Sequence, residues 1–300
     1  MKKTLVAVAA LAAFSGAYAE VTISGLLDAA ITVNGTDSTL GVGPNGGSEF
    51  TLGMNEDLGN GLKAIGALTV FGDVLAGTSD GFSTYNSFVG LSGEFGSVKL
   101  GSQWSPLFLA STISDATGRW GSSSLASPAE LQTPNSLTYT SPSISGFSIS
   151  FQRQLGDAAG TAALNNTGNG STQAYSLNYS TGGFTAAYAA GTNANTAGAA
   201  TATKSSLLAA SYNFGVATVH YGNLTTDAAA NGTNVNSNTI GVSAPIGALT
   251  VSAMFSSDGT DNAQNYQGVY ALSKRTAMYV NNGKTGADAA VTTIGIKHAF

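Results

Sequence analysis

Between Val21 and Asn34 the chain alternates: Val21, Ile23, Leu27, Ala29, Ile31 and Val33 are apolar, while Thr22, Ser24, Asp28, Thr32 and Asn34 are polar, and Leu26 breaks the rhythm. A period of two puts the two sets on opposite faces of a β-strand. The period returns at Leu137 and Tyr139, at Phe147, Ile149 and Phe151, at Tyr175, Leu177 and Tyr179, and at Leu249, Val251, Ala253 and Phe255. Alternation suits a half-buried soluble sheet as well as a barrel, so the connections must discriminate. Tight turns are expected at 59–61, 95–97, 143–146, 181–183, 214–215, 245–247 and 273–274. Longer polar stretches at 34–47, 72–84, 104–134, 156–171, 191–203, 226–236, 257–264 and 283–290 alternate strictly with them.

Seven turns and eight long connections join sixteen strands, with both termini on the turn side; fourteen or eighteen fit if boundaries shift. Composition then selects the environment. Charged residues make up 9% of the chain, against roughly 25% in a soluble domain. Thirteen Phe and eleven Tyr supply too much apolar surface for disorder. No mature segment is long and apolar enough for a spanning helix, and the remaining structure that satisfies its backbone in lipid is a closed barrel. The expected fold class is therefore all-β, a transmembrane antiparallel β-barrel with short turns at one end and long loops at the other.

At the N-terminus Lys2 and Lys3 precede an apolar run from Thr4 to Phe14 and the small-residue site Ala17-Tyr18-Ala19. That order predicts an export signal over 1–19, cleaved after Ala19, and a barrel domain over 20–300. Cleavage leaves nine basic against sixteen acidic residues, a net charge of −7. No basic footprint for nucleic acid remains. There is no Cys, and neither a cofactor nor a metal site is expected. His220 and His298 are the only histidines, and no nucleophile elbow or zinc-protease motif occurs, so an enzyme is not expected. A secreted β-rich adhesin would carry a fixed short repeat, which is absent.

Six stretches carry a specific likeness: VTISGLLDAAITV at 21–33, NEDLGNGLKAIGAL at 55–68, FVGLSGEFGSVKLGSQ at 88–103, PNSLTYTSPSISGFS at 134–148, YALSKRTAMYV at 270–280 and the terminal GIKHAF. In this order they resemble the general diffusion porins of Gram-negative bacteria, most closely the betaproteobacterial trimeric type. The resemblance implies an outer-membrane location, a sixteen-stranded barrel, a homotrimer, and passive diffusion of ions and small hydrophilic solutes. It also implies a third long loop folded inward, contacts with outer-membrane lipids and lipopolysaccharide, and a terminal Phe300 that serves as the signal to the barrel-assembly machinery.

Loop three is the longest connection, 104–134. Read as a stretch without secondary structure of its own, its length points to function. Asp115, Arg119 and Glu130 are candidates for a pore constriction, and Trp104 and Trp120 for anchoring the loop. Asp28, Glu49, Lys63, Lys99 and Lys297 are candidates for the lumen wall. Where the family favours basic residues, this chain carries Glu49, Gly53 and Ser102. Lys63, Lys99, Lys274, Arg275 and Lys297 lie toward the turn end, whereas Asp37, Asp73, Asp80, Asp115, Glu130, Asp157, Asp227, Asp258, Asp261 and Asp288 lie in long connections. Acids at an entrance concentrate cations, which predicts a weak to moderate cation preference. The alternative is a substrate-specific channel with a binding track at loop three.

Overall fold

The computed structural model describes residues 19–43, 47–72, 83–118, 132–155, 172–193, 203–228 and 233–300. The strands are β1 (Ala19–Asn34), β2 (Asp37–Gly41), β3 (Ser48–Gly59), β4 (Leu62–Gly72), β5 (Ser83–Gly93), β6 (Gly96–Trp104), β7 (Gln132–Thr140), β8 (Phe147–Gln154) and β9 (Gln173–Thr181). They continue as β10 (Phe184–Asn193), β11 (Thr203–Asn213), β12 (Thr218–Ala228), β13 (Thr233–Ile246), β14 (Leu249–Ser257), β15 (Asn262–Ala271), β16 (Thr276–Thr285) and β17 (Val291–Ala299). One short helix, α1 (Pro106–Ser111), follows β6.

Every pairing is antiparallel, and β1 pairs with β17 from Leu26↔Ala299 to Asn34↔Val291, which closes the sheet and leaves no free edge. The seventeen segments form sixteen staves. β3 accompanies β1 from Ala19 to Leu26 and β2 accompanies it from Ala30 to Asn34, so the two share one stave. All seven expected turns fall between paired strands. At Asn60-Gly61 the backbone takes φ 53° and 75°, the left-handed pair whose twist matches a hairpin.

Two loop-end connections are tighter than the sequence implied. The stretches 226–236 and 257–264 narrow to 229–232 and 258–261 because β12 and β13 pair up to Ala228↔Thr233 and β14 pairs with β15 up to Ser257↔Asn262. Polar side chains such as Asn234 and Asn262 blur the alternation there, but the backbone ladder continues regardless of side-chain polarity.

The faces separate as the period requires. Val21 and Ile23 are each 62% exposed on the outside, whereas Asp28 and Thr293 are buried on the inside. Inward hydroxyls and amides pair across staves: Thr51 with Thr69 at 2.9 Å, Thr32 with Thr293 at 3.1 Å, and Asn265 with Asn281 in both directions. Leu26 faces inward because it is registered opposite Glu49. At the seam Phe300 N–H donates to the Gly25 carbonyl at 3.0 Å and its own carbonyl accepts from Gly25 N–H at 3.1 Å. The Phe300 ring lies where a Gly25 Cβ would stand.

Candidate functional site: loop three on the inner wall

β6 leaves the wall at an irregularity between Gly101 and Gln103, where Gly101 takes φ 143° and Ser136 Oγ donates to its carbonyl at 2.9 Å. The chain then starts α1. Ser105 caps it by accepting Phe108 N–H at 3.0 Å, and Pro106 opens the first turn, a position that needs no amide donor. Loop three thus has a helix that the sequence reading did not anticipate; six residues carry too little periodic signal to stand out.

α1 packs against β8 to β11. Leu107 and Ala110 press onto Ala187 and Ala189 of β10, Leu207 and Ala209 of β11, and Leu224 of β12, with Ile113 at the margin. Each leucine buried this way contributes about 1.5–3 kcal/mol. Beyond the helix the loop descends into two notches. A Cβ on Gly222 would stand 2.6 Å from the Ser114 Cβ, and one on Gly241 2.6 Å from the Ala116 Cβ. His220 fastens the same stretch: its Nδ1–H donates to the Ile113 carbonyl at 2.8 Å, which leaves Nε2 to accept from Ser243 Oγ at 3.3 Å.

Among the residues expected to matter, Trp104 stacks on Phe108 with ring centroids 4.4 Å apart, and its carbonyl accepts from Gln152 Nε2 at 3.1 Å. Asp115 is 8% exposed and accepts both Thr117 N–H and Thr117 Oγ–H on Oδ1, at 2.7 and 2.6 Å. Its Oδ1 thus braces the loop's own turn. Arg119, Trp120 and Glu130 lie outside the described residues, as do Asp73, Asp80, Asp157 and residues 1–18 of the expected export signal.

On the far wall, Asp28 and Glu49 face inward from adjoining staves. Asp28 is 1% exposed and its Oδ1 accepts from Tyr279 Oη at 2.6 Å, while Lys297 stands opposite in register. The Tyr279 ring lies across Gly295, and the Tyr279 hydroxyl occupies the place of a Gly43 Cβ, so the first loop is seated on this seam. Lys99 extends over the Phe88 ring at 4.5 Å, and Lys63 registers opposite Asp57 at the turn end. Phe300 joins the last strand to the first as described above. Sequence reasoning missed Tyr279, although it shares the inward parity of Ala277 and Asn281. It also missed the small inward residues that seat loop three.

The charge sorting needs one correction. By strand parity Arg153 shares the outward face of Phe147, Ile149 and Phe151; Lys204 shares that of Leu208; and Lys284 shares that of Met278 and Val280. Basic residues therefore also stand at the loop end, on the outside of the barrel.

Comparison with known proteins matches this geometry. "Outer membrane porin protein 32" of Delftia acidovorans is 33% identical over 94% of this chain and 88% of its own length. The "major outer membrane protein P.IB" of Neisseria gonorrhoeae is 35% identical over 63% of this chain, and the match spans 56% of that protein's length. Among solved structures, an anion-selective porin from Comamonas acidovorans superposes with a TM-score of 0.78 at 24% identity, covering 94% of this chain and all of that one. The trimer form of Vibrio cholerae OmpT gives 0.72 at 12% identity, covering 94% of this chain and 99% of its own. These two establish the fold. The sequence profile of the Gram-negative porin family matches residues 7–290; the family is one of channels rather than enzymes, and the chain belongs to it.

Proposed function

We propose that the protein is a general diffusion channel: a water-filled outer-membrane pore, narrowed by loop three, through which ions and small hydrophilic solutes pass without a dedicated binding step. The observation that carries this reading is the flat seating of residues 105–118 along the β8–β13 wall, which narrows the lumen from one side. The loop end faces the exterior, as long connections do in this class of barrel.

The assembly we propose is a homotrimer. Outward tyrosines stand on β7, on β9 to β12 and on β15, for example Tyr175, Tyr188, Tyr221 and Tyr270. From β16 through β1 to β6, by contrast, the outward side chains described are residues such as Ile294, Ile31, Met54, Leu68 and Val89. Tyrosine marks the lipid–water boundary, so a sector whose described outward side chains include no tyrosine suits contact with neighbouring subunits. The trimeric Vibrio relative supports the same assembly.

For ion preference we propose a weak to moderate selectivity for cations, set by acids at the outer mouth. Asp258 exemplifies them: the backbone N–H groups of Asp261 and Thr260 hold its carboxyl below the usual carboxylate range. It therefore stays ionised to lower pH than a free aspartate. The competing reading is the anion selectivity ascribed to the Comamonas relative, and Lys99 and Lys297 on the lumen wall favour it. A reversal potential across a bilayer bathed in a tenfold KCl gradient decides between them. We expect the sign of a potassium-preferring pore, weakening as acid protonates the mouth; a chloride-preferring sign refutes the cation reading.

A further inference from the structure

The stretch 34–47 is not a single connection. Its tip, Gly35-Thr36, turns at the loop end, and β2 then runs back beside β1 as far as Gly41, opposite Ala30. Pairing with β1 resumes only at Glu49, opposite Leu26. Residues 42–48 therefore fill a gap that faces only Leu27, Asp28 and Ala29, a surplus well beyond the one extra residue of a β-bulge. The described ends of this surplus turn into the lumen. The hydroxyl of Tyr279 takes the place of a Gly43 Cβ, and the ring of Phe71, which has the inward parity of Thr69, takes that of a Gly47 Cβ. Gly47 has φ 61°, a conformation that glycine adopts without strain. Asp28 records the same direction: its carboxylate faces inward at mid-strand and is nonetheless buried, with Tyr279 and Gly43 over it and the Gly43 N–H donating to it. Where the ladder is interrupted, Ser48 Oγ accepts the Asp28 N–H at 3.2 Å and donates to the Asp28 carbonyl at 3.5 Å.

This place lies opposite the seat of loop three. β10 is the eighth stave from β1 in either direction around the ring. Ala187 and Ala189, on which α1 rests, lie near the middle of β10, as Asp28 lies near the middle of β1. The side of α1 away from that seat carries Leu109, which is 51% exposed. We propose that Val42-Gly43 and Gly47-Ser48 form a second shoulder of the constriction, so that the narrowest section of the pore lies between this shoulder and loop three, and both set its size limit for solutes. An ordinary barrel strand sends only side chains into the lumen. Here backbone stands in front of the wall, held by a buried carboxylate and two aromatic side chains. The glycines follow from that closeness, since a side chain at 43 or 47 would meet the wall. This inference rests on the reading of a water-filled pore narrowed by loop three.

The test is single-channel conductance of the full mature protein in a planar bilayer, with polyethylene glycols of graded size added to find the largest that enters. Deleting residues 43–46 leaves three residues between Gly41 and Glu49, the number that the gap opposite β1 needs. This variant should conduct more than the wild type and admit larger polymers. Gly43→Val should do the reverse. The valine cannot displace Tyr279, whose ring fills the space over Gly295, so the shoulder moves out into the lumen, conductance falls and the cut-off shifts to smaller polymers. Opposite signs separate a shoulder from a general loss of stability, which would move both variants the same way. An unchanged or narrower cut-off in the deletion variant overturns the proposal. If the deletion variant fails to assemble, Gly43→Val decides alone: a smaller cut-off supports the shoulder, and wild-type behaviour refutes it. A conducting wild type with unaffected variants refutes only the shoulder, whereas a wild type that forms no channel overturns the pore reading and this one with it.

Discussion

A chain carrying valine at both Gly222 and Gly241 is expected to keep its barrel and to lose single-channel conductance severalfold. The two glycines lie on neighbouring staves, and each faces an atom of loop three across a gap that admits no Cβ. Overpacking of this kind costs about 1–3 kcal/mol per site. The load cannot be taken up by the strands, whose hydrogen-bond ladders run through Gly222↔Thr239 and Gly241↔Met254, and valine itself favours extended backbone. Loop three yields instead, and the space open to it is the lumen. Gly268→Val provides the control, since its nearest neighbours stand at 3.6 and 3.8 Å on the outside; it should conduct as the wild type does. Unchanged conductance in the double variant would mean that this wall does not position the loop.

Tyr279→Phe is expected to destabilise the barrel by about 2–4 kcal/mol, because it withdraws a hydrogen-bond donor from a buried carboxylate. Asp28 has few alternatives. Among the described residues its Oδ2 has no hydrogen-bond partner, and the further support for the carboxylate is the Gly43 backbone N–H and the charge of Lys297. Asp28→Asn should cost less, since the amide oxygen still accepts from the phenol. The double variant should be more stable than the sum of the single effects predicts, the mark of a direct coupling. Urea unfolding in detergent, followed by the loss of heat-modifiable gel mobility, measures all three. A Tyr279→Phe midpoint indistinguishable from the wild type would remove Tyr279 from the closure of the seam.

The barrel was legible in the sequence because its two strongest signals, the period of two and the alternation of short with long connections, are both local. Asn60-Gly61 announces its turn, and Phe147, Ile149 and Phe151 announce their outward face. What escaped is non-local. Ala187, Ala209, Gly222 and Gly241 read as filler along their own strands, and they become a seat only when β10 to β13 stand side by side and α1 is laid over them. Tyr279 meets Asp28 because the last staves close onto the first, a contact separated by 251 positions in the chain. The α1 helix was hidden by its length, and β2 by its polar sequence, Asp37-Ser38-Thr39-Leu40-Gly41. The outward Arg153, Lys204 and Lys284 were available from parity alone, but sorting charges by height without sorting them by face left them out.

The central claim is a water-filled pore formed by the closed barrel, and recording the purified protein in a planar bilayer tests it most directly. The account predicts discrete ohmic steps, closing in groups of three, with a conductance that rises linearly with salt concentration. A membrane that stays silent, or a current that saturates as the permeating solute is raised, would contradict it.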